Sequence, residues 1–182
     1  MKRMLSMVLV LLMLAVPLFT VAAGANGSLL EIPVLGLYLA VPEDAVVMSE
    51  EEMAASNADP FSPWEPVGLF GMTIPEHGIN FGIGERQYDE DEDFHTYCIG
   101  YAASLLLMGG DPDDLESADA DFVGLYAVEV AHVVEGYGIL SYLIPIGESG
   151  EVGVYVVTVF APLASFEDGS AHAILNNLFV PM

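Results

Sequence analysis

The chain has 182 residues, 54% of them apolar, and sets three lysines and arginines against 27 aspartates and glutamates, a formal net charge of −24 at pH 7. Such a polyanion repels nucleic acid and anionic lipid, which leaves cationic groups and basic proteins as compatible partners. The lone cysteine, Cys98, excludes an intramolecular disulfide framework, so stability has to come from a core, and the length suits one domain of ordinary size.

Lys2 and Arg3 precede an apolar run from Met4 to Leu18, and small residues follow at Val21-Ala22-Ala23 and Ala23-Gly24-Ala25. These are the three regions of a secretory signal peptide over residues 1–25, cleaved after Ala23 or Ala25, with a single domain over 26–182. The competing reading is an uncleaved anchor, since Met4 to Ala22 is nearly long enough to span a bilayer. Cleavage removes two of the three basic residues and leaves Arg86 alone against 27 carboxylates, a formal charge of −26. The protein is therefore expected to be secreted or otherwise extracytoplasmic, with no stable membrane insertion once the leader is gone.

Leu29 to Ile32 and Leu35 to Val41 read as two short strands, parted at Pro33, that form one edge of a sheet. Ala45 to Met48 is a third short strand, and Ser49 with Glu52 makes the S-x-x-E box that starts a helix ending near Asn57. Pro60, Pro63 and Pro66 punctuate a surface loop that holds Phe61 and the sole tryptophan, Trp64. Those two rings are the candidate interaction residues; they either pack down or meet a partner. Val67 to Ile74 and Ile79 to Ile83 are the next strands. Gly68, Gly71, Gly82 and Gly84 mark this pair as the place where a cleft opens or a helix packs closely, with close packing favoured.

The carboxylates Asp89 to Asp93 lead into an apolar helix from Phe94 to Met108, where negative charge suits the unsatisfied N–H groups of a helix start, and Gly109-Gly110 supplies the stop. Phe94, Cys98, Tyr101, Leu105 and Met108 share a face, which makes this helix the main cover of the sheet. Cys98 then reads as a buried small hydrophobe in preference to a nucleophile or an intermolecular disulfide. A second acidic loop runs from Asp111 to Asp121. Beyond it, Phe122 to Ala131, Tyr137 to Ile146 and Val152 to Ala161 read as three antiparallel strands, the last apolar on both of its faces. A sheet buried on both sides needs helices above and below it. The expected fold is therefore α+β, an α/β/α sandwich with a central, mainly antiparallel β-sheet covered by helices on both faces. Ser170 opens a last helix bearing Ala171, Ile174, Leu175 and Leu178, closing with Phe179-Val180-Pro181.

The order of these elements, the G-L-x-L-x-V-P pattern at Gly36 to Pro42, Tyr155-Val156-Val157-Thr158-Val159 and Ile174-Leu175-Asn176-Asn177-Leu178 together resemble the PsbP-like family. The resemblance spans most of residues 28–182 and implies an α/β/α sandwich shared with a Ran-binding nuclear import factor. Members of that family include extrinsic proteins of the photosynthetic oxygen-evolving complex and exported bacterial proteins of unknown role. Asn177 stands where the family usually has serine. Photosystem binding in the family relies on lysines that this chain lacks, which speaks against a photosynthetic role, and none of the family's functional residues transfers.

His77, His95, His132 and His172 are widely spaced, and no metal-gathering, nucleophile-elbow, phosphate-loop or dinucleotide motif is present. His132 reads as a satisfied core or rim histidine. Glu129, among Val123, Leu125, Ala127 and Ala131, is either at the sheet's rim or a buried carboxylate with a raised pKa. Calcium is the one cofactor the composition invites, since a hard cation takes carboxylate oxygens. Asp111, Asp113, Asp114 and Glu116 are the candidate ligands around a tight turn, with a solvated loop as the alternative. The functional expectation is an exported, non-enzymatic interaction or accessory protein whose partner is a protein or a cationic group. The alternatives are a small secreted hydrolase or a calcium-binding protein.

Overall fold

The computed structural model describes residues 21–23, 28–58, 60, 62–89, 92–147 and 152–182. Apart from residues 21–23, the signal-peptide segment lies outside the described residues, as does Phe61. The chain divides into two compact units, Met1–Glu43 with Leu178–Met182, and Asp44–Asn177.

The first unit is a four-stranded antiparallel sheet in the order β1 (Val21–Ala23), β2 (Ser28–Ile32), β3 (Leu37–Val41) and β11 (Phe179–Pro181). Leu30, Ile32, Leu37, Leu39 and Val41 are buried, and Phe179 adds its ring opposite Leu39. Gly36 closes the β2–β3 turn at φ +64°, a conformation that favours glycine. This arrangement corrects the placement of residues 29–41 at an edge of the main sheet. Residues 179–181 return as a strand and give the hairpin a sheet of its own.

The second unit holds a seven-stranded antiparallel sheet in the order β4-β5-β6-β10-β9-β8-β7. The strands are β4 (Val46–Val47), β5 (Val67–Ile74), β6 (Ile79–Gln87), β7 (Glu116–Phe122), β8 (Leu125–Val134), β9 (Tyr137–Ile146) and β10 (Gly153–Pro162). The helices are α1 (Glu50–Ala58), α2 (Phe94–Leu106), α3 (Leu163–Glu167) and α4 (Ser170–Leu178). Two hairpins turn on two residues each, Val123-Gly124 at φ +54° and +85° and Glu135-Gly136 at +43° and +88°. Paired left-handed residues match the twist of the strands they join, although a β-branched residue such as Val123 is strained there. Strand β7 replaces part of the expected acidic loop. Its sequence Glu-Ser-Ala-Asp-Ala-Asp carries little apolar signal, because it is an edge strand that pairs only with β8 and keeps most of its side chains in water.

Helix α2 starts where the sequence says. Asp93 is its N-cap and accepts from the Thr96 N–H at 2.7 Å, while Gly109 and Gly110 end the segment at φ +101° and +94°. Tyr97, Cys98, Tyr101 and Leu105 pack with Val130, Leu143, Val154 and Val156 in one hydrophobic cluster of this unit's core. Elsewhere on the sheet, α3 lays Phe166 against Gly138, where a Cβ would clash with the ring. Helix α4 brings His172 Nε2 to 3.7 Å from Glu129.

Candidate functional site

In strands β5 and β6 the register sets Gly68 opposite Gly84 and Gly71 opposite Gly82, with a bulge between Gly68 and Phe70. Four side chains are thus missing from one patch of sheet, and a cleft of about 410 Å³ opens above it. Tyr101, Leu105 and Met108 line it from the α2 side, Met48 and Met53 from the α1 side, and Val156, Thr158 and Phe160 from β10. The four glycines differ. A Cβ at Gly71 would come within 2.5 Å of Met48 Sδ, one at Gly68 within 2.7 Å of Met53 Sδ, and one at Gly84 within 3.0 Å of Pro66. At Gly82 the nearest atom would be the Phe70 carbonyl at 3.8 Å, so Gly82 is the open part of the floor. The glycine pair therefore supports both sequence readings, close packing at three positions and a cleft at the fourth.

Helix α1 forms one wall while burying none of its residues. It is fixed from its ends. Ser49 and Glu52 complete the capping box at 2.8 Å, and the Asn57 amide accepts from the Gly68 N–H at 2.7 Å and donates to the Gly68 carbonyl at 3.0 Å. Asn57 in this way stands in for a strand partner at the bulge. Of the lining residues, Tyr101 has its hydroxyl 3.3 Å from Thr158 Oγ1 and 2.9 Å from Oγ of the fully buried Ser141, and those two oxygens are 3.2 Å apart. Burial pushes the Tyr101 phenol above its ordinary pKa, so it is a neutral hydrogen-bonding group.

The loop beside the cleft is clamped by Arg86. Its guanidinium meets both Glu92 carboxylate oxygens at 3.1 and 3.2 Å, donates to the Pro63 carbonyl, and lies 5.6 Å from the centre of the Trp64 ring and 5.8 Å from that of Tyr97. Trp64, half-buried, packs down onto α2. A Cβ at Gly100 would intrude on its ring at 2.3 Å, and the Tyr97 hydroxyl donates to the Trp64 carbonyl at 2.8 Å. The proline spacing that places the tryptophan in an extended loop was readable; its seat on a helix glycine was not, because residues 64 and 100 are joined only by the fold.

The candidate calcium ligands Asp111, Asp113, Asp114 and Glu116 are all exposed. Asp111 caps a short 3-10 turn, Pro112–Asp114, by accepting from the Asp113 N–H at 3.1 Å, and Glu116 leaves along β7. Among the described residues no three of His, Cys, Asp and Glu come together so as to hold a metal ion. His132 is fully buried, with Nε2 2.8 Å from the Gly109 carbonyl. Glu129 is partly exposed beside His172 and opposite Tyr142. Cys98 is buried as expected, and burial pushes its thiol up to about 12. No helix among the described residues is long and apolar enough to cross a membrane.

No family model matches the chain, and no curated protein does. Among solved structures the chain is similar to LpqN of Mycobacterium tuberculosis, which is involved in cell envelope biogenesis, at 14% identity over 79% of this chain and 82% of that one, with a TM-score of 0.48. It is also similar to Mog1p, the Ran-binding protein of Saccharomyces cerevisiae, at 10% identity over 87% and 96% of the two chains, with a TM-score of 0.47. A third similarity, to a protein of Bacteroides thetaiotaomicron, has 12% identity over 86% of this chain and 49% of that one, with a TM-score of 0.43.

Proposed function

We propose that this is an exported, non-enzymatic binding or accessory protein of the α/β/α, PsbP-like kind, which holds a small apolar molecule in the cleft above Gly82. The observation that carries the reading is the cleft itself. Its volume of about 410 Å³ lies in the range of small-molecule sites, about 300–1,000 Å³, and its walls are mainly apolar with a few convergent hydroxyls. Those of Tyr101 and Thr158 hydrogen-bond each other and the buried Ser141 hydroxyl instead of a histidine or carboxylate, which supports binding over turnover. A protein or cationic partner on the acidic surface remains part of the proposal as a separate interaction.

The test uses an uncharged fluorescent probe, N-phenyl-1-naphthylamine. Saturable binding with one probe per chain is expected, and Gly82→Phe, which grows a ring into the open floor, should abolish it. Probe binding unchanged by that substitution would place the site elsewhere. Export is tested by N-terminal sequencing of protein recovered from the medium or envelope, expected to start at Gly24 or Asn26.

A further inference from the structure

Resting on the cleft reading, we infer that the molecule held there is a long unbranched aliphatic chain, which runs from the glycine floor beneath helix α1 into a second cavity on the far side of that helix. The second cavity, of about 290 Å³, is lined by Glu50, Ala54 and Leu69, none of which lines the cleft of about 410 Å³, and it shares Met48, Met53, Asn57 and Phe70 with the cleft. The helical period explains the division. Met53 and Asn57, four residues apart, face the sheet at Gly68, while Ser56 turns to the cleft and Glu50 and Ala54, again four apart, turn to the second cavity. Helix α1 thus lies between two hollows instead of packing over one.

Helix α1 crosses β5 as an arch. At its start the Met48 N–H donates to the Gly71 carbonyl at 2.8 Å, and near its end the Asn57 amide holds the N–H and carbonyl of Gly68 at 2.7 and 3.0 Å. Between these two posts Met53 is the one α1 residue that is not exposed. The passage under the arch is therefore closed by two thioethers, Met48 over Gly71 and Met53 over Gly68, which occupy the space that β5 leaves by having no side chain at either position. A methionine side chain has three rotatable bonds and adapts to what lies beside it. Lifting a helix that buries none of its residues also exposes little apolar surface to water. A gap made by turning two such side chains admits a single file of methylenes and excludes a fused ring system or a branched tail.

Straight-chain alcohols from hexanol to dodecanol, displacing N-phenyl-1-naphthylamine from the full chain, measure the length of the site. Each added pair of methylenes is expected to tighten binding about tenfold without levelling off, the gain that burying both groups supplies. Ala54→Trp fills the second cavity from an exposed position that does not line the cleft. It should leave hexanol and the probe unchanged and weaken dodecanol by at least about tenfold. A wild-type series that levels off at octanol, or a dodecanol affinity untouched by Ala54→Trp, overturns the inference and leaves the cleft reading standing. So does failure of every alcohol to displace a probe whose binding Gly82→Phe abolishes. If the probe does not bind, or ignores Gly82→Phe, the cleft reading fails and this inference with it. Should Ala54→Trp not fold, two dodecanol analogues carrying a diazirine at one end or the other are photolysed in the wild-type protein. One of them is expected to label Glu50, Ala54 or Leu69; labels from both that are confined to the cleft walls overturn the inference.

Discussion

At Arg86 one guanidinium joins a strand, a loop and a helix start. Its partner Glu92 keeps only 8% of its side-chain surface in water, so removing the cation leaves a carboxylate that is both desolvated and unpaired. Arg86 itself is 22% exposed, which moderates the loss. Arg86→Met, close in volume, is expected to reduce unfolding free energy by about 2–3 kcal/mol, and Arg86→Met with Glu92→Gln should recover part of it. Urea unfolding measures both; equal midpoints for wild type and the single variant would show that the clamp adds nothing. Cys98 makes the opposite case, a side chain whose reactivity is suppressed by its seat. With the thiol pushed up to about 12 and buried in the same cluster as Tyr97 and Tyr101, an aromatic disulfide reagent should label it only after denaturation. Rapid labelling of the native protein would contradict the packing of α2.

At the scale of elements the sharpest test lies in α2. Glycine inside a helix costs about 1 kcal/mol relative to alanine, so Gly100→Ala should stabilise an isolated helix. Here the added methyl would fall 2.3 Å from the Trp64 ring, and displacing a half-buried indole outweighs the propensity gain. Gly100→Ala is expected to destabilise the protein, and in a Trp64→Ala background the same change should become stabilising by about 0.5–1 kcal/mol. A stabilising effect in both backgrounds would remove Trp64 from its seat. This pair also marks the limit of what the chain discloses on its own. The capping box at Ser49, the start of α2 at Asp93 and the strands β9 and β10 were legible because each is written in neighbouring residues, whereas the strand expected over Phe122 to Ala131 is broken by the Val123-Gly124 turn between β7 and β8. Strand β7 was not, since an edge strand facing water has no apolar alternation to show, and β11 was not, since its partner Leu37 to Leu39 lies far back in the chain. The glycines of β5 and β6 announced an unusual patch. Only the register, with Gly71 facing Gly82, decided that it opens a cleft.

For the whole molecule the dominant quantity is charge. A chain of net charge −24, or −26 if the proposed leader is removed, repels itself more when folded than when expanded, so sodium chloride at moderate concentration should raise the melting temperature. A melting temperature indifferent to salt would mean the carboxylates are spaced too widely to interact. Calcium at matched ionic strength is expected to add little more; a saturable further rise, lost when Asp111, Asp113 and Asp114 become asparagine, would establish a site in that loop. The scarcity of cations has a further consequence, for degradation. Proteases of trypsin's specificity cut after lysine or arginine, and beyond residue 3 this chain offers them one bond, between Arg86 and Gln87. That bond lies in β6, where Arg86 and Gln87 are paired with Val154 and Gly153 of β10, and it becomes accessible only when this part of the sheet opens. Trypsin should therefore leave the folded protein whole for long periods and then divide it into two fragments without intermediates. The rate of that one cut reports the opening of the central sheet directly, with no label and no engineered site.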